Sequence, residues 1–249
     1  NHLIYDVDTI TNFQHWSMKK VAILIPAYEP DDKLVRLVEA LRPLGAHLVV
    51  VDDGSVRPEA RAAFAAVRER VDALLVHGVN RGKGAALRTG FAWIRDHLPE
   101  AEVVVTADAD GQHTPTDIRR VAEAAFGHPQ GLVLGVRQFS GHVPFRSRFG
   151  NAWSRMFFRL LTGLSVRDTQ TGLRAVPRAL LGRMLALPGD RYEYEMRMLV
   201  DARRHAAKPL QITIETVYLD GNRSSHFQPL RDTILTQRAL WSARFSGKR

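Results

Sequence analysis

The chain has 249 residues, of which 45% are hydrophobic, and it carries a formal net charge of +9 at pH 7. Its length and apolar content allow a sizeable core and fit one large α/β domain as well as two small ones, and we expect one domain. The absence of cysteine excludes disulfides, zinc–thiolate sites and thiol nucleophiles. The positive charge indicates an anionic partner, which could be nucleic acid, a phosphorylated ligand or an acidic membrane surface.

Residues 1–17 differ in pattern from the rest of the chain. They lack the basic and apolar regions of a signal peptide, and Met18 opens the segment "MKKVAILIPAY", which is typical of the start of a domain. We therefore expect residues 1–17 to be an added leader or a short N-terminal extension, and residues 18–249 to form a single domain. No apolar run approaches the roughly 18 to 20 residues that a membrane-spanning helix needs.

From Lys20 onward, short β-branched runs alternate with longer helical stretches. Apolar runs without polar alternation are typical of strands covered on both faces, and the helices between them form βαβ units. The pattern therefore predicts a mostly parallel sheet in the first half of the chain. The predicted strands are "VAILIPAY", "HLVVVDDGS", "ALLVHG", "EVVVTADADG" and "GLVLGVR", and the predicted helices cover about 31–42, 58–70, 82–98 and 114–126.

The second half of the chain changes in character after residue 137. The segment "FSGHVPFRSRFGNAWSRMFFRLLTGLSVRD" is rich in aromatic residues and arginine, and the sheet pattern disappears. It could form a helix with a core-facing apolar stripe and solvated arginines, or a basic amphipathic helix on a membrane surface. The stripe consists of Phe149, Trp153, Met156, Phe157, Leu160 and Leu161, interleaved with Arg146, Arg148, Arg155 and Arg159.

The segments "PAYEP", "DDGS" and "DADGQH" follow three predicted strands, at the edge where binding loops cluster in a parallel sheet. Asp108 and Asp110 project to the same side of an extended segment, and Gln112 can follow them as the chain turns. Hard divalent cations take oxygen ligands, so this segment fits a cation that also binds a diphosphate. Alternatively, Asp108 caps a turn and Asp110 caps the helix that begins near Pro115.

Asp52 and Asp53 are adjacent carboxylates at the end of the second predicted strand. They would repel each other without partners, and the ribose or base of a nucleotide would supply hydrogen-bond donors to one of them. An Asx-turn through Gly54 and Ser55 is expected to coexist with this role.

The glycine-rich segment "HGVNRGKGAALRTG" does not fit a Walker loop. Only three residues separate Gly78 from Gly82, and Gly84 follows Lys83 where that loop needs Ser or Thr. The segment instead predicts a helix start suited to an anion or to close helix–sheet packing. No GxGxxG or "GxGTR"-like loop follows the first strand, which disfavours a dinucleotide oxidoreductase and a sugar-phosphate nucleotidyltransferase.

Six ordered segments resemble family 2 glycosyltransferases with the GT-A fold, and most of all their dolichyl- and polyprenyl-phosphate sugar transferases. These segments are "ILIPAYEP", "VVDDGS", "NRGKGAALRTGF", "TADADGQH", "DTQTGLRAV" and "YEYEMRML". The resemblance implies a Rossmann-like, mostly parallel sheet flanked by helices, with a C-terminal acceptor-side helical region. Residues 18–137 would form the nucleotide-sugar-binding half, and residues 138–249 the acceptor and membrane-facing half.

The resemblance also implies residue roles. Asp108, Asp110 and Gln112 would hold Mg²⁺ or Mn²⁺, with Asp110 and Gln112 as direct ligands. Catalysis would rest on Asp108, Asp110, Arg137 and Arg223. The nucleotide-sugar donor would contact Pro26, Ala27, Tyr28, Glu29, Asp53, Lys83, Asp108 and Arg223, and the acceptor phosphate would contact Arg137, Arg146, Arg148, Gln170 and Thr171.

The function implied is that of an inverting hexosyltransferase of the cell envelope, which transfers sugar from a UDP- or GDP-sugar to a polyprenyl phosphate. Such an enzyme would be cytoplasmic and peripheral on the anionic inner face of the plasma membrane, and it would not bind nucleic acid. A nucleic-acid binder would also leave the acidic edge of the sheet unexplained.

The nearest alternative is a family 2 enzyme that acts on a sugar or polysaccharide hydroxyl. That acceptor needs a general base, and Glu193 or Glu195 would supply it, whereas a lipid phosphate is already ionised. Otherwise these glutamates would be solvent-facing helix positions around Tyr194. We expect His113 to fix its loop by hydrogen bonding rather than to bind metal.

Overall fold

The computed structural model describes residues 16–137, 163 and 165–215. These residues form one seven-stranded sheet with helices packed on both faces. In chain order the elements are β1 (Val21–Ala27), α1 (Asp32–Leu41), β2 (His47–Asp52), α2 (Pro58–Val67), β3 (Ala73–Val76), α3 (Lys83–His97), β4 (Val103–Thr106), α4 (Pro115–Phe126), β5 (Val133–Arg137), β6 (Arg174–Pro177), α5 (Leu181–Ala186), α6 (Glu193–Arg204) and β7 (Leu210–Ile214).

The central strand β1 separates two hydrophobic cores. All seven of its side chains are buried, which explains why its sequence shows no polar alternation. Ile23 and Ile25 face the core under α1, α2 and α4, whereas Ala22 and Leu24 face the core under α3, α5 and α6. The α/β layering predicted from the sequence is confirmed.

The strand order is β3-β2-β1-β4-β6-β5-β7, and only β6 runs antiparallel to its neighbours. The sequence missed two of these strands, so the prediction that the sheet pattern ends after residue 137 is wrong for them. Strand β6 reads "RAVP", with only two apolar residues before its proline, and the partly exposed edge strand β7 reads "LQITI". Neither has the apolar run that marks a central parallel strand.

The register of the sheet brings distant polar segments to one edge. Ala27 lies level with Asp52, so β1 and β2 end together. Strand β6 enters from this same edge because it is antiparallel, and it pairs its first residue, Arg174, with Thr106 at the end of β4. The loop before β6 therefore lies beside the "DADGQH" segment.

Several sequence predictions lie outside the described residues. These are the leader (residues 1–15 of the predicted 1–17), the arginine and aromatic stripe with Arg146 and Arg148, and Arg223. Among the residues that the structure describes, no helix is both long and apolar enough to span a bilayer.

Candidate active site

The aspartates of the "DADGQH" segment do not cap α4, so the alternative interpretation of Asp110 as its N-cap is wrong. Thr114 is the N-cap residue of α4, and its hydroxyl accepts a hydrogen bond from the Asp117 amide at 3.1 Å. Asp110 instead accepts from the Gln112 amide at 3.0 Å, around Gly111, whose φ is +75°. Both aspartates therefore remain at the edge of the sheet.

Asp108 is held between a lysine and a histidine. Its Oδ1 lies 2.7 Å from Lys83 Nζ, and its Oδ2 lies 3.6 Å from His113 Nε2. Burial raises the pKa of Asp108, but the charges of Lys83 and His113 lower it more, so the pKa lies well below its usual range. Asp108 is therefore ionised at neutral pH.

His113 does not hydrogen-bond its loop as the sequence suggested. Its ring is buried, and within the described part of the chain neither ring nitrogen has a hydrogen-bond partner. The ring lies against Asp108, with Nε2 3.6 Å from Asp108 Oδ2.

Lys83 links the sheet edge to α6. Its Nζ lies 3.1 Å from Glu195 Oε1 as well as 2.7 Å from Asp108 Oδ1. Burial lowers the pKa of Lys83, but Asp108 and Glu195 outweigh burial and raise the pKa above its ordinary value. Glu195 is itself buried, so the alternative interpretation of Glu195 as a solvent-facing position is wrong.

Arg174 contacts Glu195, the second carboxylate partner of Lys83. Its side chain is 1% exposed, and its guanidinium donates hydrogen bonds to the carbonyls of Thr169, Thr171 and Glu195. Its Nε also lies 3.8 Å from Glu195 Oε1. Arg174 thereby fixes both the loop before β6 and the first turn of α6.

Asp110 and Asp108 are the carboxylates available to a metal ion. Burial and the Asp108 charge raise the pKa of Asp110, so a dication would relieve an unfavourable pair of negative charges here. Among the described residues, no group of three or more His, Asp or Glu side chains is arranged to hold a metal by itself. Two carboxylates with an amide side chain nevertheless fit Mg²⁺ or Mn²⁺ that shares further ligands with a diphosphate.

Asp52 and Asp53 make different contacts in the fold. Asp53 is buried, and its carboxylate accepts from His77 Nδ1 at 2.7 Å, the Arg81 amide at 2.9 Å and the Gly82 amide at 2.7 Å. These contacts fix the loop that leads into α3 and Lys83. Asp52 accepts from the Ser55 amide at 2.8 Å, so its side chain holds the turn through Gly54 with a bond that spans three residues, whereas the predicted Asx-turn would span two.

The predicted donor-contacting residues after β1 lie at the same edge. Pro26 and Ala27 are buried in the strand, whereas Tyr28 is 38% exposed. Glu29 has a φ of +49°, and its carboxylate accepts from the amides of Val56 and Arg57 just before α2. Glu29 thus ties the β1 loop to the β2 loop.

Arg137, at the end of β5, is oriented by a carboxylate that the sequence analysis did not single out. Asp168 is fully buried and accepts from Arg137 Nε at 2.7 Å and from its Nη2 at 3.3 Å. The amide of Gln170 also donates to Asp168, at 3.1 Å. Of the two acceptor residues predicted here, Gln170 is exposed, whereas Thr171 is buried and accepts from the Leu173 amide.

Glu193 stabilises the start of α6. Its Oε1 accepts from the amides of Asp190 and Arg191 at 3.1 and 3.3 Å. These amides lie at the helix N-terminus, where a carboxylate is favourable. Both candidate base residues, Glu193 and Glu195, are therefore engaged with other groups of the protein.

Residues 22–183, more than half of the chain, match the family model described as glycosyl transferase family 2. The chain belongs to glycosyltransferase family 2. This glycosyltransferase is similar to the UDP-N-acetylglucosamine--dolichyl-phosphate N-acetylglucosaminyltransferase of Methanococcus voltae, with 27% identity over 81% of this chain and 87% of that protein. It is also similar to the undecaprenyl-phosphate 4-deoxy-4-formamido-L-arabinose transferase of Pseudomonas fluorescens, with 34% identity over 67% of this chain and 49% of that protein.

The fold of this glycosyltransferase also matches a solved structure. Glucosyl-3-phosphoglycerate synthase from Mycobacterium tuberculosis, in complex with Mn²⁺, UDP and phosphoglyceric acid, aligns with a TM-score of 0.68 at 17% identity. The match covers 94% of this chain and 85% of that chain. The expected GT-A fold is confirmed.

Two residues that shape the site of this glycosyltransferase, Asp168 and Arg174, were not predicted from the sequence. Both lie in the quoted segment "DTQTGLRAV", which was interpreted only through Gln170 and Thr171. A buried position could have been suspected for Arg174, because it is followed by the apolar pair of β6. Its three carbonyl partners become visible only in the fold.

Proposed function

We propose that this family 2 enzyme transfers a sugar, with inversion, from a UDP- or GDP-sugar to a polyprenyl phosphate at the inner face of the plasma membrane. The names of two relatives, a dolichyl-phosphate and an undecaprenyl-phosphate transferase, support the lipid-phosphate acceptor. The UDP- and Mn²⁺-bound structural relative supports a nucleotide donor and a divalent cation. The net charge of +9 supports binding to an anionic membrane.

In the proposed reaction, an oxygen of the lipid phosphate forms a bond to the anomeric carbon of the sugar. The bond between that carbon and the diphosphate breaks, and the nucleoside diphosphate leaves with the electron pair. A phosphate monoester has a second pKa of about 6, so the attacking oxygen is ionised near neutral pH and needs no general base.

The observation that carries this proposal is how the charged side chains at the sheet edge are paired with one another. Arg137 is held there by the buried Asp168, in a bidentate geometry that aims a rigid cation. Glu193 accepts hydrogen bonds from the amides of Asp190 and Arg191 just before α6, and Glu195 lies beside Lys83 and Arg174. These contacts disfavour a role of either glutamate as a general base. This arrangement favours an acceptor that brings its own negative charge.

Asp108, Asp110 and Gln112 would hold the divalent cation, which would supply neutralisation of the charge that develops on the leaving diphosphate. Arg137, together with the predicted Arg146 and Arg148, holds the attacking phosphate in this proposal. The sequence-predicted role of Arg223 is a second positive charge at the diphosphate.

The test is transfer of radiolabelled sugar from UDP- and GDP-sugars to polyprenyl phosphate, with donor affinity measured by calorimetry. Arg137→Ala should raise the KM for the lipid about 10- to 100-fold, since hydrogen bonds to charged groups contribute about 1.5–3 kcal/mol. Donor affinity should stay within about twofold. Arg137→Lys keeps the charge but loses the bidentate geometry, so its KM for the lipid should lie between the values of wild type and Arg137→Ala.

Glu193→Gln should keep most of the wild-type turnover. The matched control for Arg137→Ala is Arg36→Ala, which removes an exposed arginine on α1. Thermal unfolding of each variant separates loss of contact from loss of fold, because Arg137→Ala leaves the buried Asp168 unpaired. A loss of orders of magnitude in Glu193→Gln, with the Arg137 variants near wild type, would favour a hydroxyl acceptor and a glutamate base instead.

A further inference from the structure

The ammonium group of Lys83 occupies a position between two carboxylates of unequal exposure. Lys83 is the first residue of α3, and its Nζ lies 2.7 Å from Asp108 Oδ1 and 3.1 Å from Glu195 Oε1. The Asp108 side chain is 32% exposed and lies at the sheet edge, whereas the Glu195 side chain is 9% exposed. A protein cation therefore already neutralises a carboxylate of the candidate metal site.

The Glu195 carboxylate retains unused capacity to accept a hydrogen bond. Its Oε1 is buried and, within the described residues, has no hydrogen-bond partner, although Lys83 Nζ and Arg174 Nε lie 3.1 and 3.8 Å away. Arg174 cannot approach more closely without giving up the backbone carbonyls that fix it. A small shift of Lys83 would complete the hydrogen bonding of this oxygen.

The backbone around Lys83 confines any such shift to the side chain. A Cβ on Gly82 would lie 2.4 Å from the Asp190 carbonyl oxygen, and a Cβ on Gly84 would lie 2.6 Å from Tyr194 Cβ. The start of α3 is thus packed directly against α6. The four-carbon stem of the lysine has the rotational freedom that the helix lacks.

We propose that Lys83 is a resident counter-ion of Asp108, and that it moves fully onto Glu195 when the donor diphosphate and its divalent cation bind together. Glu195 is then a positioning residue that receives Lys83 and keeps it out of the metal site. This inference rests on the proposed function, since it assumes a cation-dependent nucleotide donor.

The balance of charge gives this movement a consequence for binding order. Of the groups in this cluster, Lys83 and Arg174 offset two of the three negative charges that Asp108, Asp110 and Glu195 carry when ionised. A divalent cation alone would shift the charge of the cluster toward positive, and the diphosphate of the sugar donor, a diester with two negative charges, would alone make the cluster strongly negative. Both together leave its charge unchanged. Unbalanced charge is costly in a partly buried site, so each ligand should strengthen the binding of the other.

The experiment measures Mn²⁺ binding by electron paramagnetic resonance, first with Mn²⁺ alone and then with UDP or GDP present. Lys83→Met removes the competing charge, so donor-free protein should bind Mn²⁺ at least tenfold more tightly, and the further gain from the nucleotide should shrink. Glu195→Gln leaves Lys83 only Asp108 as a charged partner, so its Mn²⁺ affinity with nucleotide should fall about tenfold. Lys20→Met, which removes a lysine that pairs with Glu102 on the surface, is the control and should match wild type.

Unchanged or weaker Mn²⁺ binding by folded Lys83→Met, in the absence of nucleotide, would overturn the counter-ion role. If Lys83→Met fails to fold, Lys83→Arg tests the same point, because its stronger pairing to Asp108 should weaken donor-free Mn²⁺ binding, and unchanged binding would overturn the proposal. If wild-type protein binds no Mn²⁺ with either nucleotide, the proposed function itself fails. Coupled binding in wild type that is equal in all variants rejects only the role of Lys83.

Discussion

Gly172 is a position where one added carbon should disable the site without unfolding the protein. A Cβ at this glycine would lie 2.1 Å from Asp108 Oδ2, 2.5 Å from its Cγ and 2.6 Å from its Oδ1. Contacts under 3.0 Å are essentially never observed for a real Cβ, so Gly172→Ala must displace the Asp108 carboxylate by about 1 Å. The side chain of Asp108 is partly exposed and has room to move outward. This movement would separate the Asp108 carboxylate from Lys83 and from the proposed position of the metal ion.

A misplacement of about 1 Å at a reacting centre costs on the order of 100-fold in rate. We therefore expect Gly172→Ala to lower kcat/KM for sugar transfer by about 100-fold and to weaken Mn²⁺ binding in the presence of nucleotide. The free energy of unfolding should fall by only about 1–3 kcal/mol, the usual cost of overpacking. Kinetics, Mn²⁺ titration and thermal unfolding measure the three quantities separately.

Gly182→Ala is the matched control, because a Cβ there meets nothing within 4 Å and the residue lies in helix α5. This substitution should leave kcat/KM unchanged and stabilise the protein by up to about 1 kcal/mol. Gly172→Ala with wild-type kcat/KM and Mn²⁺ affinity would show that the position of the Asp108 carboxylate does not matter for the reaction.

Two further predictions follow from the acidic edge. Asp110→Asn should abolish Mn²⁺-dependent transfer yet raise the Tm of the metal-free protein by about 2–4 °C per kcal/mol of repulsion removed. The pKa of Asp110 is raised by burial and by Asp108, so its ionised form is disfavoured in the fold. The gain in Tm over wild type should therefore shrink as the pH falls below that raised pKa and disappear below the ordinary pKa of an aspartate. An unchanged or lower Tm at neutral pH would contradict this. Asp53→Asn should lower the free energy of unfolding by about 1–3 kcal/mol, because three hydrogen-bond donors lose their carboxylate acceptor. Asp52→Asn should mainly weaken nucleotide binding, measured by calorimetry. The reverse pattern would refute this division of roles between the two aspartates.

The first half of the fold could be predicted because its signals are local. Strands β1 to β5 are short apolar runs followed by turn residues, and each helix between them carries its own start signal. Asp31, for example, accepts a hydrogen bond from the Lys33 amide as the N-cap of α1, within one residue of the predicted start. The convergence of the acidic segments on one edge then follows from parallel pairing alone.

The charge partners at the site could not be predicted, because they join residues that are far apart in the sequence. Lys83 meets Glu195 only because α3 packs against α6, and Arg137 meets Asp168 only because β6 returns antiparallel to β5. Sequence spacing carries no information on either pair. The sequence therefore identifies the charged groups, whereas the fold decides which of them neutralise each other.

The division between Asp52 and Asp53 lies between these two cases, since a local rule would have resolved it. Side chains alternate between the faces of a strand, and Val49 and Val51 face the core under α3, whereas Leu48 and Val50 face the core under α1 and α2. Continued past the end of β2, this alternation places Asp53 toward α3 and Asp52 on the opposite side. The loop that enters α3 offers the amides of Arg81 and Gly82, and their hydrogen bonds occupy the Asp53 carboxylate. We therefore propose that Asp52 contacts the nucleoside, in place of Asp53, to which the sequence assigned this contact.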